Sequence, residues 1–262
     1  MSLQQLTVGA FMSSPVITTR HDVPFSDATM VMAAKKIGNL VVVGENGDPL
    51  GILTERAILY YLALSKALPG MPVGRALLHK FARLQPATTI IEAAKTMIVK
   101  KTRLLVFEKG HAADRDRLAG IVTASDIMRA FAETGRNPPL AGIVRHRVFT
   151  LGPTNTILAA VKMMYKRRIG SVLIEKDGQP FGIFTERDLM SRVLAQNVDL
   201  EDKVGSYCSR PIQTARLRLG AGTAAKQMLA SNIKRLPLVS GGRIAGIVTA
   251  RDLVEAFQRS LA

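Results

Sequence analysis

The chain has no tryptophan, one cysteine and few aromatic residues, 5% of 262. Cys208 alone permits no internal disulfide and excludes four-cysteine zinc sites. The four histidines, His21, His79, His111 and His146, show no ligand-like spacing, so no metal site is expected. The shortage of aromatic rings weighs against single-stranded nucleic acid, which needs stacking platforms. No apolar run approaches the roughly 18–20 residues of a membrane helix. The start, "MSLQQLTVGAFMSSP", lacks the basic residues and apolar stretch of a signal peptide. These absences lead to the expectation of a soluble cytoplasmic protein with no membrane partner.

Acidic residues are also scarce. Thirty-six Lys and Arg stand against 20 Asp and Glu, a net charge of +16 spread over both halves. Such a field attracts polyanions: nucleotides, nucleic acid or an acidic protein surface. It is equally the ion-pair-rich surface of a heat-adapted protein. "RHR" at 145–147, "KRR" at 166–168 and "RLR" at 216–218 are candidates for a basic nucleic-acid face, whose binding would weaken steeply with salt.

What the chain does contain is repetition. "GILTERAIL", "GIVTASDIM", "GIFTERDLM" and "GIVTARDLV" begin at Gly51, Gly120, Gly182 and Gly246, steps of 69, 62 and 64 residues. That period suggests repeated subdomains rather than a solenoid. Short lead-in segments precede the helices: "PVITT" at 15, "RVFTL" at 147 and "PIQTA" at 211. Ile90, Ala93, Ala94 and Met97 lie at helical spacing on one face. Ile157, Ala160, Val161 and Met164 repeat the pattern, as do Ala221, Ala224, Ala225 and Met228. Two apolar runs follow, joined by Asn46-Gly47, Asp177-Gly178 or Gly241-Gly242, dipeptides that supply the positive φ of a tight hairpin. In the second repeat the join is a longer polar loop, "KGHAADRDR" at 109–117, read as a solvated insertion.

The unit is therefore strand, helix, strand, strand, helix, a mixed α+β fold. Repeats are assigned to 1–66, 67–136, 137–198 and 199–262. Repeats one and three share "IGN" or "IGS" and "TER"; repeats two and four share "TRLL" or "KRLP" and "TA". This implies duplication of a two-repeat module, with the break in "ETGRNPP", 133–139, and weaker breaks at 68–74 and 196–202.

Thr-x-x-Asp at a helix start is a capping box: the hydroxyl accepts from a free N–H and the acid reaches back. Capping alone explains the phrase. A helix N-terminus also suits a phosphate, and an ionised carboxylate, acceptor-only, can take both hydroxyls of a ribose. Ala57 breaks the pattern, standing where the other copies have Asp126, Asp188 and Asp252, although Thr54 and Glu55 remain. As drift at a cap, this costs about 0.5–1 kcal/mol.

With these phrases the chain resembles the cystathionine-β-synthase-type (CBS) domain proteins over almost its whole length, as four CBS repeats in two Bateman modules. The resemblance implies repeats paired about pseudo-two-fold axes, a disc-like arrangement within one chain or across a homodimer, and clefts between paired repeats. Such clefts take adenosine-containing ligands: AMP, ADP, ATP or S-adenosylmethionine. It further implies ribose contacts from Asp126, Asp188 and Asp252, with Thr123, Thr185 and Thr249 beside the ribose or phosphate. Arg103 and Lys234-Arg235 take the place of phosphate-facing cations, where repeats one and three have Asn39 and Ser171. Thr18, Thr150 and Thr214, at the ends of the lead-in strands, would line the adenine side; Leu84 stands at about that place in repeat two. Arg56, Arg187 and Arg251 are read as a solvated face. No catalytic constellation stands out, so the implied role is a non-enzymatic sensor. It would resemble stand-alone regulators and the nucleotide-sensing subunit of AMP-activated kinase, signal to a protein effector, and have at most three intact sites. A nucleic-acid-binding protein and a scaffold with vestigial clefts are the alternatives.

Overall fold

The computed structural model describes residues 3–110 and 116–261. After α1 (Val8–Phe11), repeat one runs β1 (Thr18–Arg20), α2 (Phe25–Ala34), β2 (Asn39–Val43), β3 (Pro49–Thr54) and α3 (Glu55–Ser65). Repeat two runs β4 (Phe81–Leu84), α4 (Ile90–Lys100), β5 (Arg103–Lys109), β6 (Asp116–Val122) and α5 (Ala124–Glu133). Repeat three has β7 (Thr150–Leu151), α6 (Ile157–Arg167), β8 (Ser171–Lys176), β9 (Gln179–Thr185) and α7 (Glu186–Asp188), the last continued by a wider π turn through Val193. Repeat four has β10 (Ala215–Arg216), α8 (Ala221–Ala230), β11 (Arg235–Ser240), β12 (Arg243–Thr249) and α9 (Ala250–Arg259).

Each repeat builds one three-stranded sheet, its lead-in strand parallel to the central strand and the hairpin antiparallel. The strand–helix–strand–strand–helix order read from the sequence is thus the observed one. Asp177-Gly178 and Gly241-Gly242 form two-residue turns in which both residues have positive φ, the geometry that matches strand twist. Repeat one differs: residues 44–48 make a five-residue loop, closed by Gly44 N–H donating to Asp48 at 2.9 Å. The insertion read at 109–117 lies partly outside the described residues.

The helical stripes are core. All four residues of each of the three stripes are buried. They serve two compact units. One combines the segment ending at Val16 with Lys80–Arg147 and the segment from Gln213, so it holds the sheets and helices of repeats two and four. Within it α4, α5, α8 and α9 pack together, with Phe131 stacked on Phe257 at 4.8 Å. The other combines Ile17–His79 with Val148–Ile212, holding repeats one and three. There α3 packs on α6, and Tyr60 meets Tyr165 edge-on at 5.7 Å.

Each linker packs on a hairpin outside the repeat to which chain order assigns it. Ser13 pairs with Ile121, His79 with Ile52, Arg145 with Ile247 and Ser209 with Ile183. Every pair exchanges two backbone hydrogen bonds of 2.8–3.2 Å. These partners follow Gly120, Gly51, Gly246 and Gly182. That explains the glycine opening each phrase: the side chain before the bridging residue lies where a Cβ would be. The residues so placed are Met12, Leu78, Val144 and Cys208, with Cys208 Sγ 2.7 Å from a Cβ built on Gly182.

Candidate functional site

The Thr-x-x-Asp phrases start α5, α7 and α9. Their first residues leave the strand extended, so the hydroxyl and carboxylate can close on each other. Thr123 donates to Asp126 Oδ2 from its N–H at 2.8 Å and its hydroxyl at 2.7 Å. Thr185 makes the same contacts to Asp188 at 2.9 and 2.6 Å, and Thr249 to Asp252 at 2.8 and 2.7 Å. The three aspartates are buried, 3–6% exposed. Capping therefore accounts for one carboxylate oxygen in every copy. In repeat one Thr54 still accepts from Ala57 N–H at 3.3 Å, so α3 keeps its cap without an acid.

The other oxygen distinguishes the copies. Asp188 Oδ1 accepts from the Ser209 hydroxyl at 2.7 Å, with Arg192 Nε at 3.4 Å. Asp252 Oδ1 accepts from Arg145 Nη2 at 2.9 Å and Nε at 3.3 Å. Asp126 Oδ1 faces Arg129 Nη2 at 3.3 Å, whose guanidinium also holds the Phe11 carbonyl at 2.7 Å. Thus each second oxygen meets groups that belong to a linker or tie one down.

Sheet register places the remaining sequence-selected residues. Asn39, Ser171 and Arg235 lie directly opposite Thr54, Thr185 and Thr249, and Arg103 precedes the Leu104–Val122 pair by one step. Arg103 and Arg235 thus begin the central strands beside the phrase threonines, with Lys234 just before β11. Thr18 pairs with Val41 and Thr150 with Leu173; Thr214 precedes the Ala215–Leu238 pair. These three threonines occur where the lead-in strands begin, not where they end. The same register corrects the repeat-two counterpart. It is Arg83, opposite Leu105, rather than Leu84. β4 starts two positions earlier relative to its partner than β1 does, so the end of the strand does not mark the counterpart. Arg83 lies over the Phe107 ring at 3.5 Å and pairs with Asp116 at 3.0 Å.

Two expected solvated arginines are structural instead. Arg56 Nε pairs with the buried Glu186 at 3.0 Å. Arg251 donates to the Met97 carbonyl at 2.9 Å, where the turns of α4 run out of amide partners.

Sequence reasoning missed the bridging positions Ser13, His79, Arg145 and Ser209, and with them Arg129 and Arg192. A signal exists: linkers begin Val8-Gly9, Val73-Gly74 and Val204-Gly205, with Leu140-Ala141 in the fourth, and the bridging residue follows five or six positions later. All four opening side chains are buried. Cys208 is buried beside Gly182, and burial pushes its thiol pKa up. Among the described residues, no group of three or more His, Cys, Asp and Glu is placed to hold a metal ion, and no helix is long and apolar enough to cross a membrane.

Comparison with known proteins agrees with this architecture. Uncharacterized protein MJ1225 of Methanocaldococcus jannaschii is 26% identical over 193 residues, 67% of this chain and 68% of its own. Uncharacterized protein MK0525 of Methanopyrus kandleri is 37% identical over 127 residues, 46% of this chain and 63% of its own. The crystal structure of MJ1225 matches with a TM-score of 0.78 at 20% identity, over 96% of this chain and 100% of that one. A conserved protein from Pyrococcus horikoshii matches with a TM-score of 0.64 at 19% identity, over 95% and 99%. The CBS domain model matches residues 8–64, 73–133, 140–195 and 204–259, so the chain belongs to the CBS domain family and carries four copies of that domain.

Proposed function

We propose that this chain is a regulatory sensor, not an enzyme, that binds adenosine-containing ligands at Thr123/Asp126, Thr185/Asp188 and Thr249/Asp252. The observation that carries this reading is the division of labour within each carboxylate. One oxygen completes the helix cap. The other is turned toward exchangeable partners on or beside a linker, where ribose hydroxyls can take their place. An ionised carboxylate has about four acceptor positions, enough for cap and diol together.

Arg103 and Lys234-Arg235, at the starts of central strands, supply cations for phosphates; Arg binds phosphate through a planar fork and Lys as a point charge. Thr18, Thr150 and Thr214, which share one register position, flank the adenine. AMP, ADP and ATP are the favoured ligands, with S-adenosylmethionine as a further candidate. Repeat one, with Ala57, lacks the diol-binding group. The binding energy that differs between two conformations of the protein shifts their populations, and a protein partner reads the shift. The relative MJ1225 has been presented as a candidate archaeal homologue of γ-AMPK, which supports a regulatory reading.

Calorimetric titration with the four ligands tests this, on wild type and on the Asp126→Ala, Asp188→Ala and Asp252→Ala proteins. Heat with at least one ligand, reduced by these substitutions, is expected. No heat with any ligand reduces the chain to a scaffold; unchanged binding in all three variants leaves the acids as caps only.

A second reading rests on the +16 charge and on the exposed Arg216 and Arg218 of repeat four: nucleic-acid binding on a basic surface. Its signature is affinity that falls steeply with salt and ignores the aspartate substitutions.

A further inference from the structure

The four bridging residues share one backbone geometry but not one chemistry: Ser13, His79, Arg145 and Ser209. Two of them reach a phrase carboxylate with different groups. Ser209 offers Asp188 Oδ1 a single hydroxyl at 2.7 Å; the cation beside that oxygen, Arg192 at 3.4 Å, comes from four residues along the same helical segment and is also held by the Cys208 carbonyl at 3.0 Å. A hydroxyl both donates and accepts, and it rotates to suit an incoming ribose. Arg145 offers Asp252 Oδ1 two N–H groups, at 2.9 and 3.3 Å, and no acceptor.

Asp252 Oδ2 already takes the Thr249 N–H and hydroxyl. With Arg145 in place, all of its roughly four acceptor positions are filled. A diol can enter only if Arg145 leaves. The side chains permit that: Asp252 is 5% exposed and fixed by its cap, whereas Arg145 is 56% exposed. What Arg145 needs on leaving is another anion. A phosphate provides one, in bidentate geometry as good as the carboxylate's. An uncharged nucleoside provides none; S-adenosylmethionine carries a carboxylate, but at the far end of its methionyl chain, and puts a sulfonium rather than an anion at the 5′ position, beside Lys234 and Arg235 as well as Arg145.

We propose that Arg145 is a phosphate-released latch on Asp252, making the repeat-four site selective for phosphorylated adenosines over adenosine and S-adenosylmethionine. This rests on the reading that Asp252 receives ribose hydroxyls. It assigns specificity to a linker residue outside the Thr-x-x-Asp phrase, and it makes the sites of repeats three and four unequal.

The test isolates repeat four in the full chain with Asp126→Asn and Asp188→Asn. AMP, adenosine and S-adenosylmethionine are titrated against this protein and against the same protein carrying Arg145→Ser or Arg145→Gln. With Arg145 present, AMP is expected to bind at least about tenfold tighter than either other ligand, as one charge-assisted pair implies. Both Arg145 substitutions are expected to tighten adenosine severalfold, weaken AMP, and bring the AMP-to-adenosine ratio below about three. A ratio unmoved by either substitution, with AMP binding still abolished by Asp252→Asn, overturns the latch and leaves the site reading intact. Absence of binding by all three ligands to the Arg145-containing protein overturns both.

Discussion

Replacing Gly182 by alanine tests the packing on which the site depends. A Cβ there would lie 2.7 Å from Cys208 Sγ and 3.0 Å from both Arg210 Cγ and Ser209 O. Two responses are available. The linker can stay and absorb the clash, and overpacking of this kind costs about 1–3 kcal/mol. Alternatively it can lift, losing the Ser209–Ile183 hydrogen bonds of 2.8 and 3.2 Å. At about 0.5–1.5 kcal/mol each, that also costs about 1–3 kcal/mol. Either way, detachment of the linker becomes easier by a similar amount. Cys208 reports it, because its thiol is 2% exposed and burial raises its pKa. Alkylation in the native state must therefore proceed through opening. The rate of Cys208 modification by iodoacetamide should rise by roughly 5- to 100-fold in Gly182→Ala, since 1.4 kcal/mol is a factor of ten. Gly70→Ala is the control: it has open space around its Cβ position and no positive φ, and should leave the rate within about twofold. A Gly182→Ala rate equal to wild type, or a Gly70→Ala rate raised as much, would refute the argument.

Three further outcomes follow from the same structure. The Asp22 carboxyl, bonded by Arg20 at 2.8 and 3.0 Å, is held down to about 2. Its pair therefore persists above the ordinary carboxylate pKa and is lost only as pH falls toward about 2; a carbon-detected NMR titration should show that midpoint, moving upward in Arg20→Gln. Arg56→Met leaves the 7%-exposed Glu186 without its guanidinium and should cost about 1–3 kcal/mol in a denaturant titration, discounted for the partial exposure of Arg56. By contrast Lys66→Met, which removes an exposed pair with Glu201, should cost less than about 1 kcal/mol; equal effects would contradict the burial argument. Finally, Ala57→Asp completes the fourth phrase beside Thr54, in a position as buried as the other three, and should add one equivalent to the calorimetric stoichiometry of nucleotide.

Much of the fold was legible because its signals are local. The Ile90, Ile157 and Ala221 stripes follow the helical period, and burial follows the stripe. Two hairpins are set by Asp177-Gly178 and Gly241-Gly242, whose positive φ their composition demands. The aspartates were found because a cap and a diol site ask for the same residue at the same place. What escaped was contact between segments far apart in sequence. A linker joined to a hairpin through backbone hydrogen bonds needs little more than a buried Val or Leu, so Ser209 carries no signal in the sequence and Arg145 reads only as part of the basic "RHR" run. In the sequence alone, kinship between alternate repeats implies only ancestry. The structure adds a physical cause, because repeats one and three belong to one unit and repeats two and four to the other. A Cβ on Gly38 would meet the Glu55 carboxylate at 2.9 Å, so "IGN" and "TER" pack against each other. In repeats two and four the corresponding residues are Thr102 or Lys234 with Ala124 or Ala250, large and small exchanged.

The claim on which the account rests is that buried aspartates grip the sugar of a bound nucleotide. Calorimetry comparing AMP with its 2′,3′-dideoxy analogue on the wild-type chain addresses it directly. Hydrogen bonds to a charged group contribute about 1.5–3 kcal/mol, so the analogue should bind roughly 10- to 100-fold more weakly. Equal affinity of the two nucleotides would show that Asp126, Asp188 and Asp252 do no more than begin their helices.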